Sequence, residues 1–169
     1  TVFVFDNNMP PAISGHIVTE YQQSLPGITL TIAESGGSLQ QTTTGANGYF
    51  EFENMISGNN YQLTPYCDTE STNGVTTYDL VLIAKHILQT QLLASPYHLI
   101  AADVNRSGTI TTMDLVALRK MILLIDSTFV NNTSWRFVAA DYVFPNPGNP
   151  FTTTFPESVF INGLSDSLS

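Results

Sequence analysis

A loop followed by a helix-forming segment occurs twice in this 169-residue chain, and the two copies lie 35 positions apart. The first copy spans residues 68–88 and the second spans residues 103–123, with nine of the 21 aligned residues identical. Self-similarity at a fixed offset indicates an internal duplication. Each copy carries apolar residues along only one predicted helix face. The two copies are therefore expected to pack against each other and against a further part of the chain.

Both loops place oxygen-bearing residues at the spacing of a calcium loop. Such a loop supplies ligands from positions 1, 3, 5, 7 and 12, uses a main-chain carbonyl at position 7, and turns at position 6. The predicted ligands of one ion are Asp68, Glu70, Thr72, Gly74 and Asp79. The predicted ligands of a second ion are Asp103, Asn105, Ser107, Thr109 and Asp114. Asn73 and Gly108 occupy the turn positions, and Thr111 at position 9 is a candidate to hold a water molecule.

Position 12 is Asp in both loops, whereas the standard EF-hand loop has Glu there. A duplicated loop and helix with a Thr-Thr pair, this Asp and a following Leu resembles the dockerin family over about residues 67–125. The resemblance implies two F-hand units, each a calcium loop followed by a helix. It also implies that loop positions 10 and 11 contact a cohesin partner. These positions are Thr77, Tyr78, Thr112 and Met113.

The first copy departs further from the dockerin pattern than the second. Glu70 and Thr72 stand where the family usually has Asp or Asn, so the first calcium ion is expected to be the more weakly held. The family's basic pair at positions 17 and 18 is present as Arg119 and Lys120, but only Lys85 is kept in the first copy. Tyr78 and Met113 also differ, which argues against two interchangeable binding faces.

Apolar residues place a helix after each loop. The first predicted stripe is Leu80, Ile83, Ala84, Ile87 and Leu88, and the second is Leu115, Leu118, Ile122 and Leu123. Val75 and Ile110, at position 8 of the loops, are expected to join them through a short β-like contact. Pro96 is expected to break the chain between the two helices.

Residues 14–66 alternate apolar and polar residues between turn signals, which predicts β-strands. Asn47-Gly48 followed by Tyr49-Phe50 predicts a hairpin, and this part of the chain resembles the carboxypeptidase-regulatory-like sandwich and adhesin B-type repeats. That resemblance implies a structural spacer. The expected fold is α+β, with an Ig-like or transthyretin-like β-sandwich packed against a dockerin-like pair. The expected divisions are an N-terminal strand and linker at 1–13, the sandwich at 14–66, the calcium module at 67–126 and a C-terminal strap at 127–169.

The two ends of the chain leave alternatives open. The strand formed by Val2, Phe3, Val4 and Phe5 is apolar on both faces, so it either completes its own sandwich or inserts into a neighbouring molecule. Repeated insertion would build a filament. Prolines and aromatic residues between 135 and 156 favour a strap that buries its rings, with a carbohydrate platform as the alternative. Residues 158–161 are expected to add a strand.

Composition limits the classes of partner. The formal net charge is −9 and charged residues make up only 11% of the chain, which argues against nucleic acid and anionic membranes. No run of 18 apolar residues is present, so no membrane insertion is expected. The profile is typical of a secreted, cell-surface protein. Asn131 and Asn132 each begin an Asn-x-Ser/Thr pattern, a weak indication of glycosylation.

No catalytic residues are predicted. The three histidines, His16, His86 and His98, lack metal-site spacing, and Cys67 is the only cysteine. The sequence therefore favours a non-catalytic, calcium-stabilised structural module of a surface filament, appendage or stalk. The alternative is a docking module that attaches a larger secreted protein to a cohesin-like receptor. A carbohydrate-binding module is the weaker third possibility.

Overall fold

A computed structural model of the protein describes residues 11–69, 71–72 and 74–165. The chain divides into two compact units, each described separately below. The first contains the residues up to Tyr66 together with those from Ser158 onward, and the second is Cys67–Glu157. The predicted N-terminal strand of Val2, Phe3, Val4 and Phe5 lies outside the described residues. The mixed composition of antiparallel sheets and helices expected from the sequence is confirmed.

The first unit consists of two antiparallel sheets. Its strands are β1 (Ile13–His16), β2 (Thr29–Glu34), β3 (Leu39–Thr43), β4 (Tyr49–Phe52), β5 (Tyr61–Tyr66) and β6 (Val159–Ile161). One sheet has the order β3-β2-β5-β6, and the other pairs β1 with β4. The strand expected at residues 158–161 is present as β6, which pairs antiparallel with β5. An Ig-like or transthyretin-like topology does not follow from this strand order and stays a prediction.

Both sheets contribute to one apolar core. Side chains alternate along a strand, so one face of each strand points inward. The buried members of the core are Ile13, Leu30, Ile32, Phe50, Phe52, Met55, Tyr61 and Leu63. The hydroxyl of the buried Tyr61 accepts a hydrogen bond from the Ile56 N–H at 2.8 Å. Leu30 and Ile32, the most deeply buried of the set, make β2 the centre of this unit.

The turn predicted at Gly45–Gly48 is present, but the hairpin predicted around it is wrong. The turn from Gly45 to Gly48 is closed by the Gly48 N–H, which donates to the Gly45 carbonyl at 2.9 Å. The strands on either side of it, β3 and β4, belong to different sheets. The turn therefore carries the chain from one sheet to the other, because β4 finds its partner in the distant β1.

The second unit contains three α-helices among its described residues. They are α1 (Thr77–Ile87), α2 (Pro96–Ala102) and α3 (Thr112–Ile122), and a 3₁₀ turn spans Pro150–Thr152. The sequence did not predict α2. Pro96 was expected to break the chain, but it starts this helix. Ser95 caps α2 by accepting the Tyr97 N–H, and proline at a first helical position needs no N–H partner.

The duplicated helices α1 and α3 pack on each other around a shared apolar core. Ile83, Ala102, Val104 and Leu118 are its buried members, and Val75 and Ile110 pack against them. The two position-8 residues thus pack against the same core. The expected β-like contact is wrong, since neither residue forms a β-bridge within the described part of the chain.

The strap after α3 has a core of its own. Phe144 and Phe155 are buried with Ile100 of α2, and Tyr142 and Phe151 pack around them. The rings meet edge-on or tilted, with a Phe144–Phe155 centroid separation of 6.1 Å. These aromatic residues therefore form a packed cluster and not an open platform, although Trp135 is 40% exposed.

None of the described helices is long and apolar enough to cross a membrane.

We predict that Gly48→Ala destabilises the first unit more than Gly27→Ala does. Both glycines have positive φ, +75° and +74°, so both substitutions carry a backbone cost of about 1–2 kcal/mol. A Cβ at position 48 would lie 2.5 Å from the Ile17 carbonyl oxygen, whereas one at position 27 meets nothing within 4 Å. Overpacking should add a further ~1–3 kcal/mol for Gly48→Ala only. Amide hydrogen exchange in β1 and β4 measures the difference, and equal effects would show that the close approach is unimportant.

Candidate metal centres in the duplicated loops

The second loop begins where α2 ends. Asp103 is the C-cap residue of α2 and is only 1% exposed. Its Oδ1 accepts the Ser107 N–H at 2.8 Å, and its Oδ2 accepts the Gly108 N–H at 2.8 Å. Gly108 has φ +78°, so the turn lies at position 6 as predicted. The carboxylate at position 1 is thereby fixed by the backbone of its own loop.

The loop closes on Asp114, which is fully buried. Its Oδ1 accepts the Asn105 N–H at 3.1 Å, and its Oδ2 accepts the Thr111 N–H at 2.8 Å. Thr111 in turn accepts the Met113 N–H at 3.2 Å as the N-cap of α3. This reciprocal capping box means that one carboxylate both closes the loop and starts the helix. Thr111 therefore caps α3, whereas the sequence had suggested only that it could hold a water molecule.

The remaining predicted ligands lie in the same hydrogen-bonded loop. Asn105 Oδ1 accepts the Ser107 N–H at 3.0 Å. The Ser107 hydroxyl donates to the Thr109 carbonyl at 3.0 Å. The loop therefore gathers carboxylate, amide, hydroxyl and carbonyl oxygens, which are the donor types that calcium prefers.

The second loop buries two carboxylates, those of Asp103 and Asp114. Within the described residues, neither Asp103 nor Asp114 forms an ion pair with Lys, Arg or His; the nearby Arg106 pairs with Glu157. Hydrogen bonds satisfy the carboxylate oxygens but leave two buried negative charges without a positive partner. Such charges are normally paired or bound to metal. The residues present thus fit a calcium ion, which would supply that positive charge.

The first loop has the same helix start as the second. Asp79 Oδ2 accepts the Thr76 N–H at 2.7 Å, and Thr76 accepts the Tyr78 N–H at 3.2 Å, which repeats the capping box of the second loop. Gly74, at position 7, has φ +77°, one place later than the positive φ of Gly108. Glu70 and Asn73 lie outside the described residues.

Asp68 of the first loop receives a hydrogen bond from outside that loop. The Ser134 N–H donates to Asp68 Oδ1 at 2.9 Å, and the Ser134 hydroxyl donates to the Thr69 carbonyl at 3.1 Å. Asp68 itself is only half-buried. The sequence did not identify Ser134 as part of this site, because a contact across 66 positions leaves no local pattern.

The neighbouring Asn132 contacts the second loop. Its Nδ2 donates to the carbonyls of Asp103 and Val104, at 3.2 and 3.1 Å. A glycan on Asn132 would be attached to this same nitrogen, so the hydrogen bonds weigh against glycosylation there. Asn131 is exposed.

The predicted partner-contact residues lie at the surface. Tyr78 is 64% exposed and Met113 is 61% exposed, and Thr77 and Thr112 are exposed as well. All four are in the first turns of α1 and α3, directly between the capping threonine and the position-12 aspartate.

Comparison with known families adds to this geometry. Residues 66–123 match the family model of the dockerin type I domain. The match covers about a third of the chain and includes both loops and all three helices. No curated protein and no solved structure matches the chain.

The dockerin match has four consequences. Dockerin domains bind calcium, dock onto cohesin proteins, have no catalytic activity, and are typical of secreted or cell-surface proteins. The match thus supports a protein partner and an extracellular setting for this chain. It favours the docking function over the filament function. The resemblance of residues 14–66 to regulatory-like sandwiches and adhesin repeats has no support from these comparisons.

We predict that calcium stabilises the second unit and that Asp114→Asn removes most of this effect. A ligand that binds only the folded state at 100 times its Kd stabilises it by about 2.7 kcal/mol. Loss of one of the two buried carboxylates of the second loop should weaken binding there. Thermal unfolding followed by the fluorescence of Trp135, the only tryptophan, measures the Tm with calcium and with chelator.

The matched control is Asp141→Asn, which removes the same charge from an exposed position outside both loops. It should keep the full calcium-dependent rise in Tm. A parent protein whose Tm is the same in calcium and in chelator would contradict the metal assignment.

Proposed function

We propose that this chain is a docking module: its dockerin domain holds two calcium ions and presents one surface of α1 and α3 to a cohesin-type receptor. The ions are held by the residues named above for each loop. The observation that carries the proposal is the exposure of positions 10 and 11 in both copies. Tyr78 begins the exposed face of α1 and Met113 that of α3. Each is about three-fifths exposed, so both are available to a partner.

The exposed surface continues along each helix. In α1, Val81 and the capping Leu88 are 47% and 71% exposed, and in α3, Val116 and Leu123 are 49% and 60% exposed. The prediction that Leu88 and Leu123 belong to the core-facing stripes is wrong, because both are C-cap residues beyond the last helical turn. These residues follow Tyr78 or Met113 at the i+3 and i+10 positions, so they lie on the same side of the helix. Each helix therefore has one apolar face in the core and a second, narrower apolar face at the surface. Exposed apolar groups that recur in both copies support a protein–protein contact.

The capping boxes explain how calcium would affect this surface. Positions 10 and 11 lie between the Thr cap and the Asp carboxylate, and that carboxylate is also a predicted calcium ligand. A bound ion would hold the Asp in place and with it the first turn of the helix. Removal of calcium should therefore weaken docking through loss of an ordered surface.

The two faces are not equivalent. Tyr78 and Met113 differ in shape and polarity, and Arg119 on α3 corresponds to Ala84 on α1. Tyrosine is more often an energetic anchor of an interface than methionine. One face, that of Tyr78, is therefore proposed to dominate the binding of a given receptor.

The other two functions stay predictions. Filament formation depends on Val2–Phe5, which lie outside the described residues, and self-association has no support from the dockerin match. Glycan binding loses much of its proposed platform, because Phe144 and Phe155 are buried and Tyr142 and Phe151 pack around them.

We predict that Tyr78→Ala weakens cohesin binding by about 30-fold or more, as expected for a buried interface anchor worth ~2 kcal/mol. Met113→Ala should have a smaller effect, and the double variant should bind no member of a panel of recombinant cohesin modules. Calorimetry or surface plasmon resonance in calcium measures these affinities.

Val143→Ala is the matched control, because Val143 is 82% exposed in the strap and is not part of either helix face. It should bind like the parent protein. Unchanged binding by the double variant would sink the proposed contact surface, and failure of the parent to bind any cohesin in calcium would sink the docking function itself.

A further inference from the structure

One short segment of the strap contacts both calcium loops. We define Asn132–Ser134 as the bridging segment. Its first residue donates from Nδ2 to the Asp103 and Val104 carbonyls of the second loop. Its last residue donates from its backbone to Asp68 and from its hydroxyl to the Thr69 carbonyl of the first loop. Only Thr133 separates the two sets of bonds, so the segment links the first residues of the two loops.

The bridging segment is internally ordered. The Thr133 N–H donates to Asn132 Oδ1 at 3.0 Å, which directs the Nδ2 of the same amide toward the second loop. The Thr133 hydroxyl donates to the Trp135 carbonyl at 2.6 Å. These bonds hold the side chain of Asn132 and the backbone of Ser134 in a defined relation. The segment is therefore able to transmit a displacement from one loop to the other.

The bonds fall on position 1 and its neighbours in both loops. Asp68 and Asp103 are the position-1 ligands, and the segment contacts the carboxylate of the former and the carbonyl of the latter. An ion bound in the second loop would fix the Asp103 backbone, and with it the acceptors of Asn132. The ordered segment would then hold the Ser134 N–H against Asp68 before the first loop has bound its own ion.

We infer that Asn132 and Ser134 are positioning residues that couple the two calcium sites, so that each ion binds more tightly when the other loop is loaded. The inference rests on the proposed occupancy of both loops. The two loops differ in their donors, because the half-buried Asp68 receives its described donor from the strap, whereas Asp103 receives two donors from its own loop. Coupling between sites is reciprocal, so each loop must also affect the other equally.

The shared core of α1 and α3 is a second route between the loops, through Val75 and Ile110. It differs in kind from the bridging segment, because it consists of side-chain packing, whereas Asn132 and Ser134 act through hydrogen bonds to main-chain carbonyls and to Asp68. Substitutions in the segment therefore test the hydrogen-bonded route alone.

The experiment is a calcium titration of the whole chain followed by ¹⁵N NMR, with the Gly74 amide reporting the first loop and the Gly108 amide the second. Asn132→Ala removes the bonds to the second loop and the Thr133 bond inside the segment but no bond to the first loop, yet it should raise the calcium midpoint of Gly74 by at least about fivefold, the lower end of typical coupling. Ser134→Ala removes contacts only to the first loop, yet it should raise the midpoint of Gly108. Its effect should be smaller, because the Ser134 N–H is kept.

Asn131→Gly is the control. Asn131 is exposed next to the segment and has φ +62°, which glycine adopts readily, so both midpoints should stay at the parent values. The inference is overturned if each variant shifts only the loop that it touches, or if neither shifts any midpoint. Should Asn132→Ala fail to fold, the cross-effect of Ser134→Ala on Gly108 decides by reciprocity. A parent whose loops do not titrate with calcium would instead reject the proposed two-ion occupancy.

Discussion

The carboxylate at position 12 of each loop controls the arrangement of the whole loop-and-helix unit. In the second copy, Asp114 accepts one N–H from inside the loop and another from the cap of α3, and it is fully buried while doing so. A negative group at the start of a helix is also favoured by the helix dipole. Glutamate has a longer side chain, so the same pair of contacts would place the helix differently. Loop closure and helix start thus depend on one group, and the exposed residues at positions 10 and 11 directly precede it.

The same twelve-residue pattern has different surroundings in its two copies. Asp103 ends α2, whose Leu99 and Ala102 are buried, so its carboxylate is enclosed by protein. Asp68 follows a strand in the sequence, stays half-buried, and accepts its described hydrogen bond from Ser134. A duplicated sequence therefore does not give two equal sites, because burial is set by whatever element precedes the loop. The later position of the glycine in the first loop adds to this difference.

Local patterns carried most of what the sequence could predict. The apolar stripes placed α1 and α3, and alternation placed β2, β4 and β5, since both periodicities arise within single elements. The ligand spacing likewise brought the residues of the second loop together. Three features were missed because their cause is not local. A proline such as Pro96 can either start a helix or follow one, so it did not reveal α2. The turn at Gly48 does not specify that β4 pairs with β1, and Ser134 contacts Asp68 across 66 positions.

The strap is held in place by its own aromatic cluster, by α2, and by an ion pair to Arg106 of the second loop. Phe144 and Phe155 are buried against Ile100 of α2, Arg136 stacks over the Phe155 ring at 4.8 Å, and Glu157 binds both Arg136 and Arg106. Apolar burial and a charged pair thus offset the entropy lost when the strap is fixed. The few hydrogen bonds of Asn132 and Ser134 then do not have to hold the chain in place. These hydrogen bonds can instead fix the geometry of the two calcium loops, which is the basis of the inferred coupling between the sites.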